Sequence, residues 1–415
     1  MPNDLMARLN DELRAEPRPF DPRAIDQQAE VTALAERLLE GDPTPADLAA
    51  LECDLAKTEG VPLPVHLAVK LARSRSIMQA LDGPLHVSVV FAMYKEHTRI
   101  VRPEEHPHGE DFLAQKLAQL AWLFNGLPGF TWELFAVDDG CPEGSGRQAQ
   151  RILDERFPDA PARVLFLDEA IAQGVPVTGP MTSAADSQKG GSVVFGMAEA
   201  VKQEHANHVV IFTDADLSTH LGQVGLLVDG IINQGADSAL GSRREPTSIV
   251  IKQGHRNTRG KLFIYLWKCL IAPLGEVVDT QCGFKAFRAE VLPDILSDLI
   301  EKRFAFDIEL LLRTELRRNG SLVKVPVAWI DSEAASTTTG LQPYLPMLQV
   351  VAAMYRKYLP AEAGATELAD FLESLTEEQW TYLSEHVPAA IAEREPAEFN
   401  RFRGVSVADL RALLA

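Results

Sequence analysis

The sequence predicts an α/β fold with a mostly parallel central sheet covered by helices on both faces. Short apolar runs alternate with stretches of helical spacing from about residue 83 to residue 345. Such alternation is typical of parallel strands joined by crossover helices. The chain has 415 residues, of which 46% are hydrophobic and 24% charged, so it can bury a large core.

Each element follows from a local pattern of apolar residues and turn residues. We expect strands at residues 86–91, 132–137, 162–167, 208–213, 238–241 and 322–327. We expect helices at residues 110–124, 146–156, 192–204, 223–234, 259–270 and 306–318.

Helical segments flank this region on both sides. Residues 1–82 show helical spacing up to the turn at Asp82-Gly83-Pro84, and are expected to form an N-terminal extension before a domain at 83–345. Residues 346–415 are expected to form a C-terminal extension, with helices at 345–358, 368–383 and 405–414. We expect packing, homo-oligomer contacts or acceptor shaping from these extensions.

Charge and segment composition exclude several classes of protein. The formal net charge of −19 opposes binding to nucleic acid or to anionic membranes, although a bound cation can invert the sign inside one cleft. The four cysteines lack metal-site spacing and indicate free thiols. No secretory signal is apparent, and the best apolar stretch, Leu262 to Gly275, is shorter than the roughly 20 residues of a membrane span. A cytoplasmic protein without a transmembrane segment is expected.

Two carboxylates two residues apart follow an apolar strand. Asp214 and Asp216 come directly after residues 208–213 and can direct oxygen ligands at one Mg²⁺ or Mn²⁺. A cation there would neutralise a leaving diphosphate. The alternative is a solvated acidic loop.

Further acids follow two other expected strands. Glu96 comes shortly after the first, and Asp138 and Asp139 end the second. Open α/β sheets bind ligands beyond the carboxyl ends of their strands, where these carboxylates can accept hydrogen bonds from a base or a ribose. Helix caps and surface turns are the common alternative for each of them.

Two segments carry cations suited to phosphate. Lys189 precedes Gly190-Gly191 at the expected start of a helix, a favourable place for an anion, although a plain loop-to-helix turn fits equally well. Arg243 and Arg256 are suited to bidentate phosphate binding, whereas pairing with nearby surface acids is the alternative.

A candidate general base lies at the start of the helix expected at 306–318. Asp307 is flanked by aromatic residues in Phe304-Ala305-Phe306-Asp307, and a partly desolvated aspartate can act as general base towards a hydroxyl. A helix N-terminal carboxylate favoured by the helix dipole is the plainer interpretation.

In order, these segments resemble the family 2 glycosyltransferases of the GT-A fold, most closely the polyprenyl-phosphate sugar synthases such as dolichyl-phosphate mannose and glucose synthases. The resemblance covers roughly residues 85–345 and departs from the family at Lys95 and Ser218. Seven blocks carry it: residues 87–96, 137–146, 189–191, 213–216, 241–243, 279–285 and 304–310.

The resemblance implies a role for each matched residue. The implied nucleotide-sugar contacts are Ala92, Tyr94, Glu96, Asp138, Asp139, Lys189, Asp214, Ala215, Arg243 and Arg256. Asp214 and Asp216 would hold Mg²⁺ or Mn²⁺, and Asp307 would be the base of an inverting transfer, with Asp279 as the rival for that role. The loop from Ile171 to Gln188 is longer than the family pattern, and its many small residues predict a mobile cover that orders when the donor binds.

The resulting hypothesis is a hexosyltransferase that uses a UDP- or GDP-sugar and a small-molecule or polyprenyl-phosphate acceptor. A sugar-phosphate nucleotidyltransferase is one alternative, but its glycine-rich loop would follow the first strand, where Tyr94-Lys95-Glu96 stands. A noncatalytic nucleotide-sugar binding module is the other.

Overall fold

The computed structural model describes residues 2–14, 20–251, 258–331 and 343–415. The chain forms two compact units. The first comprises Met1–Gln253, Cys282–Ser297 and Ser321–Thr337, and the second comprises Gly254–Gln281, Asp298–Gly320 and Thr338–Ala415. The domain boundaries expected at residues 82 and 345 stay predictions.

Strands and helices alternate through the first unit. The strands are β1 Leu85–Met93, β2 Phe130–Asp138, β3 Ala162–Phe166, β4 His208–Thr213, β5 Ser238–Ser242, β6 Ile249–Ile251, β7 Phe284–Arg288, β8 Leu322–Pro326 and β9 Ala328–Ile330. The α-helices in the described residues of both units are α1 Pro2–Arg8, α2 Asn10–Arg14, α3 Ile25–Leu39, α4 Pro45–Ala56, α5 Leu63–Ala80, α6 Phe112–Phe124, α7 Ser145–Arg156, α8 Leu167–Ala172, α9 Gly190–Ala200, α10 Val224–Ile232, α11 Thr258–Leu270, α12 Leu292–Leu296, α13 Phe306–Arg317, α14 Tyr344–Tyr358, α15 Ala363–Ser374, α16 Glu377–Glu385, α17 Ala389–Ala392 and α18 Val407–Leu413.

Within the described residues, seven strands form one sheet in the order β3-β2-β1-β4-β7-β5-β8. All neighbouring pairs are parallel except those of β7, which lies antiparallel between β4 and β5. The sheet is thus mostly parallel, and the predicted α/β class is confirmed. The antiparallel strand β7 and the small parallel sheet of β6 and β9 were not predicted.

The core of this sheet is apolar because its strands are covered on both faces. All six residues of β4 are buried, as are eight of the nine residues of β1. Helix α9 packs on β1 and β2, and α10 packs on β5. The absence of a side chain at Gly196 permits the approach of α9, since a Cβ there would lie 2.4 Å from Val90 Cγ1.

The N-terminal helices belong to the first unit. Buried leucines and valines of α3, α4 and α5 form a second apolar cluster, which also includes Ala328 and Ile330 of β9. Lys70 is fully buried, pairs with Glu52 and donates to the carbonyl oxygen of Pro326 at 3.2 Å. These contacts make α3–α5 part of the packing of the first unit.

The second unit is helical in its described residues. Helices α11 and α14 pack together, as do α14 and α15. The helix expected at residues 368–383 is interrupted: α15 ends at Ser374, and Thr376 accepts from Gln379 N to cap α16. None of the helices in the described ranges combines the length and apolarity that a membrane-spanning segment needs.

Candidate functional site

Three acidic strand ends meet at one edge of the sheet. Strand β1 lies between β2 and β4, and all three run in the same direction. Met93 of β1 is in register with Asp138 of β2, and Phe91 of β1 is in register with Thr213 of β4. The residues that follow these three strands therefore lie together at their carboxyl ends, where parallel sheets bind ligands.

Asp214 is the carboxylate directly after β4. Its Oδ1 accepts from Nζ of Lys189, and its side chain is 28% exposed. Burial would raise the pKa of Asp214, but the Lys189 ammonium, supported by Lys285 and Lys116, holds it below the usual value. Asp214 is therefore an anion in the presence of these lysines.

Asp216 is fixed through both its side chain and its main chain. Its Oδ1 accepts from Ser218 N at 3.0 Å and from Ser218 Oγ at 2.5 Å. Its carbonyl oxygen accepts from Nζ of the buried Lys116 at 2.8 Å. Burial lowers the pKa of Lys116 to about 8, against the attraction of the Asp216 and Asp214 carboxylates.

The predicted metal ligands are two carboxylates of one loop, Asp214 and Asp216. In the described part of the chain, no group of three or more His, Cys, Asp or Glu side chains is arranged to hold a metal ion. The Asp214 carboxylate lies directly against the backbone of Gly283, since a Cβ at that position would lie 2.2 Å from its Oδ2. Mg²⁺ commonly takes one or two protein carboxylates and completes its shell with water and substrate phosphates.

Asp138 and Asp139 use their carboxylates within the chain. Asp138 accepts from Cys141 N at 3.0 Å and from Gly146 N at 2.7 Å, which fixes the start of α7. Asp139 accepts from Lys189 N at 2.9 Å and from Ser192 Oγ at 2.7 Å, which fixes the start of α9. Burial raises the pKa of both aspartates, and these hydrogen bonds oppose the rise. Their predicted contacts with the nucleotide sugar stay predictions.

Glu96 lies in a buried ion network. Arg99 NH1 donates to Glu96 Oε2 at 2.9 Å, and the same guanidinium binds both oxygens of Glu110 at 3.0 Å. Burial raises the pKa of Glu96 to about 7, against the pull of Arg99, and the Asp216 and Glu110 carboxylates add to the rise. This carboxyl group titrates near neutrality beside the candidate metal ligands.

The remaining expected nucleotide contacts differ in exposure. Tyr94 is 48% exposed, whereas Ala215 is buried and Ala92 is half-buried. The guanidinium carbon of Arg243, just after β5, lies 5.2 Å from the ring centroid of Trp329. Arg256 lies outside the described residues.

The two candidate bases belong to the second unit. Asp279 and Asp307 are both buried, and Asp307 lies in the first turn of α13. The loop before α13 is anchored by the fully buried Glu309, which accepts from Ile300 N at 2.9 Å and from Glu301 N at 2.8 Å. Tyr358 OH donates to the same carboxylate at 2.5 Å.

Sequence reasoning missed the buried cations of this site. Lys116 lies four residues after Phe112 and four before Leu120, on the face of α6 that is buried, and this spacing could have identified it. Arg99 gave a weaker signal, three residues after Glu96. The segment expected as a mobile cover, Ile171 to Gln188, contains two short 3₁₀ turns, and its role as a cover stays a prediction.

Comparison with known proteins gives a consistent set of relatives. No family model matches the chain. The chain is 26% identical over 297 residues to dolichyl-phosphate β-glucosyltransferase of Drosophila melanogaster, covering 69% of this chain and 79% of that protein. It is 27% identical to the human enzyme of the same name, covering 65% and 74% respectively.

A third relative is a much longer protein, and only a small part of it matches this chain. Glycosyltransferase AglD of Haloferax volcanii is 24% identical over 203 residues, a match that covers 49% of this chain and spans only 28% of AglD. Among solved structures, glucosyl-3-phosphoglycerate synthase of Mycobacterium tuberculosis has a TM-score of 0.45 and 18% identity, covering 71% of this chain and 86% of that one.

The sequence relatives indicate that the chain is a glycosyltransferase, and they confirm the predicted resemblance to family 2. Within this class, the chain is similar to the polyprenyl-phosphate glucose synthases, as its motifs predicted.

Proposed function

We propose that the protein is an inverting, metal-dependent glycosyltransferase that moves a hexose from a UDP- or GDP-sugar to a hydroxyl or phosphate acceptor. The observation that carries the proposal is the meeting of the β1, β2 and β4 ends, which gathers Glu96, Asp139, Asp214 and Asp216 at one edge of the sheet. The names of the relatives make glucose the first sugar and a polyprenyl phosphate the first acceptor to test.

In this proposal Asp214 and Asp216 hold Mg²⁺ or Mn²⁺. When bound, the cation neutralises charge on the departing diphosphate. The close packing of Asp214 against Gly283 and the hydrogen bonds of Asp216 to Ser218 hold both carboxylates in place, which supports this assignment.

Asp307 is the proposed base. It would take the proton of an acceptor hydroxyl as the oxygen attacks the anomeric carbon from the face opposite the diphosphate. Such an attack inverts an α-linked donor sugar, in agreement with the names of the relatives, which are β-glucosyltransferases. A phosphate acceptor is already ionised near pH 7 and needs the base less, since its second pKa is about 6.

The test is a transfer assay with UDP-glucose or GDP-mannose and Mn²⁺, run in parallel with a short-chain polyprenyl phosphate in detergent and with a small alcohol as the hydroxyl acceptor. We expect transfer with one donor, loss of transfer with EDTA, and loss in Asp214→Asn. Asp307→Asn should lose transfer to hydroxyl acceptors but retain nucleotide binding. Asp229→Asn is the matched control, because Asp229 pairs with Asn233 and Gln234 on the surface of α10.

Two outcomes would redirect the proposal. Nucleotide binding without transfer or donor hydrolysis, with any acceptor, would indicate the noncatalytic binding module. Release of pyrophosphate from a sugar 1-phosphate and a nucleoside triphosphate would indicate the nucleotidyltransferase.

A further inference from the structure

The candidate metal ligand Asp214 already has a cationic partner. Nζ of Lys189 donates to its Oδ1, and both side chains are close to 30% exposed. Lys116 and Lys285 are fully buried and donate to the carbonyl oxygens of Asp216 and Cys282, respectively. Lys189 is therefore a cation in direct contact with the Asp214 carboxylate and also within reach of solvent.

The backbone holds Lys189 in this place. Gln188 and Lys189 have φ angles of +88° and +98°, a region that side-chain-bearing residues rarely adopt. The strain is offset by Asp139, whose Oδ2 accepts from Lys189 N at 2.9 Å, and by the start of α9 at Gly190. The main chain of Lys189 is thus anchored at the start of α9, from where its side chain contacts Asp214.

We propose that Lys189 is the counter-cation of Asp214 in the metal-free protein, and that it makes the binding of the divalent cation and the nucleotide diphosphate interdependent. This inference rests on the proposed function. A cation that arrives alone must displace the ammonium from its carboxylate. A cation that arrives with a diphosphate offers the displaced ammonium an anionic partner, so each ligand favours the other.

The experiment measures Mn²⁺ binding by electron paramagnetic resonance on the full chain, without nucleotide, with saturating UDP and, in parallel, with saturating GDP. For the wild type we expect UDP to tighten Mn²⁺ binding within the usual range of coupling, about 5- to 150-fold. In Lys189→Met, Mn²⁺ alone should bind roughly tenfold more tightly, and the enhancement by UDP should shrink correspondingly. The substitution should leave the fold intact, because the side chain is partly exposed.

Lys202→Met is the matched control. Lys202 follows α9, is largely exposed, and pairs with Glu199 at 2.6 Å, so its loss removes the same charge from a surface ion pair away from Asp214. We expect unchanged Mn²⁺ binding in this variant, with and without UDP. Equal tightening in both variants would overturn the proposal, because net charge and not the Asp214 contact would then be responsible.

Two further results separate this inference from the proposed function. If the wild type binds Mn²⁺ with UDP, but Lys189→Met binds Mn²⁺ alone no more tightly, the counter-cation role is wrong and the donor site stands. If the wild type binds Mn²⁺ with neither UDP nor GDP, the proposed donor site fails and the inference falls with it.

Discussion

At the scale of single residues, the chemistry of the site is defined less by the acids themselves than by what each acid contacts. The sequence predicted the positions of Asp138, Asp139 and Asp214, because strand ends and carboxylates are visible in it. It did not predict that Asp139 fixes the start of α9 or that Lys189 pairs with Asp214. Those partners lie 50 and 25 residues away along the chain, and only the three-dimensional fold brings them together.

Glu309 illustrates the same point in the second unit. Its carboxylate accepts from Ile300 N, Glu301 N and Tyr358 OH, and thereby fixes the loop that leads to Asp307. In Glu309→Gln, an amide NH₂ must face one of these donors. We expect a loss of about 1–3 kcal/mol of unfolding free energy, measured by urea denaturation. If Asp307 is the base, kcat should fall with little change in the nucleotide Kd.

Tyr358→Phe is the control for Glu309. It removes one of the three donors and leaves both backbone hydrogen bonds, so the loss should be nearer 1 kcal/mol. A kcat that stays at the wild-type value in a folded Glu309→Gln would show that this loop does not position the base.

At the scale of elements, the sequence predicted most of the sheet and missed β7. Strands β1 and β4 were visible as β-branched apolar runs, and helices α6 and α13 as periodic ones. Strand β7 is five residues long and has Lys285 as its second residue, a residue type that is mostly exposed. This lysine is fully buried and donates to the carbonyl oxygen of Cys282, and no local sequence pattern predicts that contact.

The missed strand has a direct effect on the site. Strand β7 pairs with β4, with Phe284 in register with Thr213, and so brings Gly283 against Asp214. In Gly283→Ala the added Cβ would lie 2.4 Å from Asp214 Cγ, and the carboxylate must move. Since a misplacement of about 1 Å can reduce catalysis by roughly 10²-fold, we expect a loss of that order in donor turnover. Mn²⁺ binding with UDP should weaken as well.

The control for this change is Gly364→Ala in α15. A Cβ there would meet nothing closer than 3.4 Å, and alanine favours a helix. Mn²⁺ binding should be weaker in Gly283→Ala and unchanged in Gly364→Ala. Overpacking at Gly283 should also lower the unfolding free energy by about 1–3 kcal/mol. Wild-type Mn²⁺ binding in Gly283→Ala would contradict the assignment of Asp214 as a ligand.

At the scale of the whole molecule, buried titratable groups determine how stability depends on pH. His220 is buried, and its Nδ1 accepts from Gly222 N at 2.9 Å, which requires a neutral ring at that nitrogen. Burial, with a smaller contribution from Lys116, lowers the pKa of His220 to about 3. Glu96 acts in the opposite direction, because burial raises its pKa to about 7.

The direction in which His220 changes stability with pH follows from how many protons the folded and unfolded chains bind. Between the usual histidine pKa of about 6.5 and the folded value of about 3, the unfolded chain binds a proton that the folded chain does not. The stability that the neutral ring contributes is therefore complete above pH 6.5 and is lost as the pH falls below it. From pH 7 to pH 5 the loss from this one residue should reach about 2 kcal/mol.

His220→Asn tests this contribution within the folded molecule. Asparagine can accept from the same backbone N–H two residues on, as in an Asx turn, but it binds no proton in this range. Urea denaturation of the wild type and the variant at pH 7 and pH 5 should give similar stabilities at pH 7 and a variant that is more stable by about 2 kcal/mol at pH 5. The contribution of Glu96 is common to both proteins and cancels in the difference. An identical loss between pH 7 and pH 5 in the two proteins would mean that His220 is protonated in the fold, and that the Gly222 hydrogen bond does not hold the ring neutral.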